Sequence, residues 1–228
     1  MKLIPTEAPI PHLIIEDFYN EIELSQMIWE ELDWLTSPNK LQAPEQTGSA
    51  ATKEGEVVKQ NRGLFFEEFF RDAPNSDIVK CTDKVWTTTI CDAMESLTPI
   101  FRGFRRAGMC TTMLSYYQNG DYYLPHIDNT MFTLLVWLWK EPKKFKGGEF
   151  ILNDFSHTIP MVNNSAILFP SCYVHSVNQV QIEDESPGLD YTGNGRYCIS
   201  RFFWIQNNAE FGTYHGIEPQ MQSYEIEN

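Results

Sequence analysis

The sequence predicts an α+β protein: a double-stranded β-helix (jelly roll) core with N-terminal helices packed on one sheet. Two observations carry this. Apolar residues recur at helical spacing only in the first hundred residues. After Pro99, eight short β-branched and aromatic runs follow, at 109–117, 122–127, 131–139, 149–152, 157–162, 165–170, 173–180 and 196–206. The pairs Asn119-Gly120, Gly147-Gly148, Asn153-Asp154 and Asn163-Asn164 punctuate them. Helices first and many short strands after describe helices laid on a two-sheet β core.

In chain order, His12-Leu-Ile-Ile is a short β-prone run, and Asn20 is placed to cap a helix whose first turn holds Glu21 and Glu23. Leu24, Ile28, Leu32 and Leu35 make residues 21–35 an amphipathic helix. Residues 36–60, rich in Ser, Thr, Gly and Pro, read as a long surface loop. A second helix is expected from Ser76 to about Leu97, burying Val79, Trp86, Ile90, Ala93 and Leu97. No repeat or long linker divides the chain, so one domain is expected: helical support over 1–108, the core over 109–206, and a tail over 207–228.

Composition narrows the function. The 228 residues are 42% hydrophobic and carry a net charge of −14, which suits a folded domain and repels a phosphate backbone. Nucleic acid is therefore not an expected partner, and Lys140, Lys143, Lys144 and Lys146 read as a solvated turn. The longest apolar run, Met131–Trp139, is about half of what a spanning helix needs, and Pro5 and Glu7 interrupt the N-terminus where a leader would be apolar. No membrane partner is expected. Five dispersed cysteines without a C-x-x-C pair argue against a disulfide framework or zinc cluster, and a cytoplasmic address is expected.

His126-Ile127-Asp128 is the one H-x-[DE] triplet. With 5 His and 31 acidic residues, chance supplies about 0.7 of them per chain of this composition, so the triplet alone proves little. On a strand, however, residues i and i+2 share a face, so His126 and Asp128 can converge on one metal. His175, following the apolar run from Ala166, is the candidate third ligand. Two histidines and one carboxylate with open positions opposite form the facial triad of non-haem Fe(II) chemistry. His12, His157 and His215 lack such partners and read as structural or surface residues. Farther on, strand alternation puts Arg196, Cys198, Ser200, Phe202 and Trp204 on one face, and Tyr197, Ile199, Arg201, Phe203 and Ile205 on the other. A guanidinium inside a barrel needs an anion, from a structural carboxylate or from a ligand.

Together these segments resemble the Fe(II)- and 2-oxoglutarate-dependent oxygenases, in their prolyl 4-hydroxylase-like branch. The matching stretches are Tyr117-Gln-Asn-Gly-Asp-Tyr-Tyr-Leu-Pro-His126-Ile-Asp128, Thr133-Leu-Leu-Val-Trp137-Leu, Gly147-Gly-Glu-Phe150, Phe169-Pro-Ser…His175-Ser-Val and Gly193-Asn-Gly-Arg196, in order. The resemblance implies that His126, Asp128 and His175 hold Fe(II). It implies that Arg196 clamps the distal carboxylate of 2-oxoglutarate, that Tyr117 also reaches the cosubstrate, and that Trp137 stands where the branch often has tyrosine. Ser200 is placed to bind a water near the site. The resemblance further implies O2 as co-reactant, ascorbate as reductant, and hydroxylation of a C–H bond with release of succinate and CO2. By branch, the substrate is a prolyl residue of a peptide or protein. A free amino acid or other small molecule is the alternative, and a cupin-like metal-binding module that is no oxygenase is a reading of a different class.

Two stretches depart from the pattern. Gln181–Gly195 is longer and more acidic than this connection usually is, a lid or an elaborated hairpin; as a lid, its Glu183, Asp184, Glu185 and Asp190 favour a cationic substrate. Leu64, Phe65 and Phe66 are expected to pin the preceding loop to the core.

Overall fold

The structure, a computed structural model, describes residues 1–37, 40–47, 58–70, 75–183, 185 and 191–205. Thirteen described strands form three antiparallel sheets. The major sheet runs β1 (Lys2–Thr6), β2 (His12–Glu16), β10 (Ser165–Pro170), β6 (Phe132–Leu138), β13 (Arg196–Ile205), β4 (Ala107–Tyr117), β3 (Arg62–Phe65). The minor sheet runs β5 (Tyr123–His126), β11 (His175–Val177), β8 (Phe150–Leu152), β9 (His157–Ile159). A ribbon of β7 (Phe145–Gly147) and β12 (Val180–Ile182) completes the β core.

Strand alternation sorts the apolar residues into two cores. Leu134, Val136 and Leu138 of β6, with Tyr197, Ile199 and Phe203 of β13, face the helices. Leu135, Trp137, Ile167, Phe169 and Cys198 face inward and meet Phe150, Leu152 and Val177 of the minor sheet. Every residue of β6 is buried, which is why Met131–Trp139 reads as an unbroken apolar run and not as alternation.

Asn20 caps the first helix as expected. Its side chain accepts from the Glu23 N–H, and Glu23 accepts in return from the Asn20 N–H, each at 2.8–2.9 Å. The helix runs through α1 (Glu21–Glu23) and α2 (Trp29–Leu35), joined by a π-helical stretch, Leu24–Ile28. Ile28, Leu32 and Leu35 are buried.

The second expected helix is broken. α4 (Asp77–Thr82), capped by the Ser76 hydroxyl, passes into a 3-10 turn, Asp83–Trp86. Thr87 then turns to an extended conformation (φ −63°, ψ 147°) and starts α5 (Thr88–Leu97). Val79 of α4 and Ile90 of α5 are both buried in the helix-side core.

Three other expectations need correction. Residues 173–180 divide into β11 and the start of β12, with Asn178 and Gln179 between them. The run at 157–162 is a strand only to Ile159. Gln60–Phe66 is more than a pinned loop: it adds β3 to the major-sheet edge before α3 (Phe66–Phe69), with Leu64 and Phe66 buried as expected. β1, which the sequence did not announce, is an edge strand, the position that tolerates its Pro5. No described helix is long and apolar enough to cross a membrane. His215 and the tail 207–228 lie outside the described residues.

Candidate metal centre and cosubstrate site

β5 and β11 are neighbours in the minor sheet, and His126 and His175 are Cα partners across that pair. Their ring centroids stand 4.3 Å apart. Each ring is oriented in the same way. His126 Nδ1 donates to the Leu124 carbonyl at 2.8 Å, and His175 Nδ1 donates to the Tyr173 carbonyl at 2.9 Å. A carbonyl can only accept, so Nδ1 keeps the proton and Nε2 presents its lone pair. Burial and the neighbouring His175 hold His126 far below the usual histidine range, at about 3, so it stays neutral, the form a metal requires.

Asp128 lies two residues beyond the last residue of β5, so it is not on a strand as the i, i+2 argument supposed. The extended chain keeps it on the His126 side, and local hydrogen bonds fix it. Its N–H donates to the Ser171 carbonyl at 3.3 Å, and its Oδ2 accepts from the Thr133 hydroxyl at 2.6 Å. Thr133, Ser171 and Thr130 are linked through their hydroxyls at 2.7 and 2.8 Å. Asp128 Oδ1 stands 3.8 Å from His126 Nε2, and Oδ2 stands 3.5 Å from His175 Nε2. All three ligand atoms lie within 4.8 Å of one another. Two imidazoles and a carboxylate so clustered suit a divalent transition metal with positions left open.

Arg196 opens β13 directly opposite Tyr117 on β4. It is fully buried, and Nε, Nη1 and Nη2 have no hydrogen-bond partner among the described residues. The guanidinium carbon sits 4.8 Å over the Tyr117 ring. Burying a guanidinium without an anion is costly, so these orphaned donors fit a ligand carboxylate held bidentately. The approach depends on the preceding turn. Gly193 (φ +76°) supplies a left-handed residue, and a Cβ on Gly195 would lie 2.1 Å from the Tyr117 carbonyl oxygen. Both glycine N–H groups donate to the Tyr116 hydroxyl at 3.1 Å. Arg201, on the opposite face of the strand, ion-pairs with Asp83 at 2.6 Å and does not line the cavity.

Metal triad and Arg196 line one cavity of about 340 Å³, shared with Tyr117 and Ser200. Cys198, Phe202 and Trp204 line it too, as the parity of β13 requires. Burial pushes the Tyr117 hydroxyl well above the usual tyrosine range, against the opposing pull of Arg196. Ser200 Oγ is 3.8 Å from Cys198 Sγ. Trp137 is fully buried with its ring 6.0 Å from Phe150, and its indole N–H lacks a partner among the described residues. It stands beside Cys198 in register but, unlike Cys198, is not among the residues that line the cavity.

Of the acids in the 181–195 segment, read as a lid or an elaborated hairpin, the two described ones do not reach the cavity. Glu183 ion-pairs with Lys146 at 2.6 Å, and Glu185 accepts from Asn194 at 2.7 Å; neither lines the cavity. Asp184 and Asp190 lie outside the described residues. The remaining cavity wall includes residues that sequence reasoning missed. Phe65 faces the cavity instead of only the core, and Thr47 and Lys59 come from the stretch read as surface loop. The Tyr123 ring stacks on His126 at 3.6 Å between centroids. No periodicity marks Lys59; its one signal is that the chain after it pairs backbone to backbone with Tyr122 and Tyr123.

Fold and site define a double-stranded β-helix with a candidate metal triad and a buried, unpaired guanidinium in one cavity. The family model of the 2OG-Fe(II) oxygenase superfamily matches residues 112–204, which contain the triad, Tyr117, Trp137, Arg196 and Ser200. A PKHD-type hydroxylase from Delftia acidovorans is 30% identical over 105 residues, 40% of this chain and 41% of that protein. The match thus spans about two-fifths of the curated relative. Among solved structures, a Pseudomonas putida prolyl-4-hydroxylase aligns over 86% of this chain and 92% of its own, with TM-score 0.54 and 13% identity. A Burkholderia pseudomallei oxidoreductase of the 2OG-Fe(II) oxygenase family aligns over 90% and 89%, with TM-score 0.51 and 13% identity. At such identities the structural matches speak for the fold.

Proposed function

We propose that this chain is an Fe(II)- and 2-oxoglutarate-dependent dioxygenase that hydroxylates an unactivated C–H bond. The observation that carries this is Arg196: a fully buried guanidinium with three orphaned nitrogens in the same cavity as the His126–Asp128–His175 cluster. A cupin-like metal-binding module has no use for that clamp.

Fe(II) would be held by His126, Asp128 and His175, and 2-oxoglutarate by Arg196 with Tyr117 and Trp137 beside it. With O2 they supply oxidative decarboxylation coupled to hydroxylation, one oxygen atom entering succinate and the other the substrate, with CO2 released. The chain's own contribution is positional. The two Nδ1 hydrogen bonds keep both imidazoles aimed, Thr133 holds Asp128, and the Tyr117–Arg196 pair gives the cosubstrate a dry seat. Ser200 holds a water at the cavity wall in this reading. Ascorbate is the reductant to supply in assays.

The branch resemblance and the shared fold with a prolyl-4-hydroxylase support a prolyl residue as substrate. The modest cavity supports the alternative of a free amino acid or other small molecule. Five free cysteines support a cytoplasmic setting, and the net charge of −14 supports a partner that is neither nucleic acid nor an anionic membrane. The test is aerobic succinate release with Fe(II), 2-oxoglutarate and ascorbate over prolyl peptides and amino acids, followed by mass analysis of the substrate. A product heavier by one oxygen atom, dependent on 2-oxoglutarate, is the expected result. Iron bound without any 2-oxoglutarate consumption would contradict the reading.

A further inference from the structure

Lys59 is only 4% exposed, yet it lines the same cavity as the metal triad. Its backbone is fixed there: it bridges to Tyr123, and the next residue, Gln60, donates its N–H to the Tyr122 carbonyl at 3.0 Å. The ammonium stands 5.6 Å from the centre of the Tyr123 ring, which itself stacks on His126. It donates to the Thr47 carbonyl at 2.5 Å. That bond uses one of its three donors. Among the described residues no carboxylate lies within ion-pair distance of it; Glu45 acts on it only from farther off.

Charge accounting makes this lysine informative, and the accounting rests on the function proposed above. A divalent metal and Arg196 carry three positive charges; Asp128 and the 2-oxoglutarate dianion carry three negative ones. The loaded centre is neutral. Asp128 is the one described carboxylate that lines the cavity, so among the described residues no carboxylate there is left to pair with the buried Lys59 ammonium. A buried charge in that position calls for a counter-charge brought by whatever fills the remaining space.

We propose that Lys59 is a substrate-binding residue, and that the substrate carries a carboxylate which pairs with it while an aliphatic carbon faces the metal. Phe65, Ile127, Phe202 and Trp204 give the intervening wall an apolar character suited to that carbon body. This reverses the cationic-substrate expectation drawn from the acidic 181–195 segment, whose described acids are engaged outside the cavity. Burial pushes the ammonium down to about 8, which leaves it mostly charged at neutral pH, and an incoming carboxylate favours the charged form further. The carboxylate belongs either to a free amino acid or to the C-terminus of a short peptide.

The experiment is an anaerobic calorimetric titration of the full chain loaded with Fe(II) and 2-oxoglutarate. One arm compares L-amino acids with their α-amides; the other compares N-acetylated X-Pro dipeptides as free acids with their C-terminal amides. At least one acid series is expected to bind about ten- to a hundredfold more tightly than its amides. Lys59→Met should bring that acid-to-amide ratio close to one, and Lys59→Arg should restore most of it. A lysine that merely braces the chain through Thr47 would change overall affinity and leave the ratio alone. Amides binding as well as acids, no acid binding, or a ratio unmoved by Lys59→Met would overturn the inference. If Lys59→Met does not fold, the wild-type ratio and Lys59→Arg decide. The Fe(II)–2-oxoglutarate absorption band, recorded before each titration, separates the two levels. Its absence overturns the oxygenase reading, whereas its presence without acid preference overturns this inference alone.

Discussion

His126 and His175 face one another as cross-strand partners, and each spends its Nδ1 proton on the carbonyl two residues back along its own chain. The sheet register therefore aims both Nε2 atoms, and only Asp128 needs outside help. Thr133 provides it through a 2.6 Å hydrogen bond. Thr133→Val, close to isosteric at a fully buried position, should weaken Fe(II) affinity about ten- to a hundredfold. His175→Ala should abolish specific binding. Fluorescence competition with a calibrated Fe(II) chelator reads both; wild-type affinity in Thr133→Val would show that Asp128 is positioned without it.

Arg196 should trade stability for binding. Without cosubstrate, Arg196→Met removes an uncompensated buried charge and should stabilise the chain by about 1–3 kcal/mol in urea unfolding. It should also cost about 2–5 kcal/mol of 2-oxoglutarate binding, as loss of one partner of a buried charge pair does. Arg201→Met, on the helix side, should lose stability through its Asp83 pair and leave the 2-oxoglutarate dissociation constant within about twofold. The opposite pattern would assign the clamp to Arg201.

Asp121 gives a pH signature. Burial pushes its carboxyl from 3.8 up to about 7, opposed by the hydrogen bond from the Gln118 N–H and the charge of Arg62. Between those values the folded chain binds more protons at this site than the unfolded chain, so the site destabilises progressively as pH rises from about 4 to 7. Asp121→Asn keeps an acceptor for Gln118 and removes the titration. It should match wild type near pH 4 and exceed it by on the order of 2 kcal/mol at pH 8. Parallel urea curves at the two pH values check it; an equal difference at both would refute the assignment.

The Asn20–Glu23 capping box should be worth about 1 kcal/mol, read as the loss of unfolding free energy in Asn20→Ala. No loss would mean that burial of Ile28, Leu32 and Leu35 alone fixes where the helix begins.

Much of this was legible in the sequence because the decisive rules are local. Parity and the Gly193-Asn-Gly-Arg196 context separated Arg196 from Arg201 on β13, and the H-x-D triplet paired His126 with Asp128, although Asp128 lies past the end of β5. What stayed hidden depended on long-range pairing. β3 is a strand because β4 needs a neighbour, and β1 because β2 does; neither segment announces itself. The break at Thr87 falls where no Gly or Pro marks it in the sequence. Lys59 sits in a polar stretch that reads as solvent-facing, and only its pairing with Tyr123 turns it inward. Composition alone could not say where the acids of the 181–195 segment point; the described Glu183 and Glu185 pair with Lys146 and Asn194 outside the cavity.

The central claim is that the histidine–aspartate cluster and Arg196 together form one Fe(II)- and 2-oxoglutarate-binding site. The most direct measurement is an anaerobic visible spectrum as 2-oxoglutarate is added to the Fe(II)-loaded chain, with Asp128→Ala and Arg196→Met run alongside. The account predicts a metal-to-ligand charge-transfer band in the wild type, lost in Asp128→Ala and shifted to much higher 2-oxoglutarate concentration in Arg196→Met. Bound iron with no band at saturating 2-oxoglutarate would contradict it.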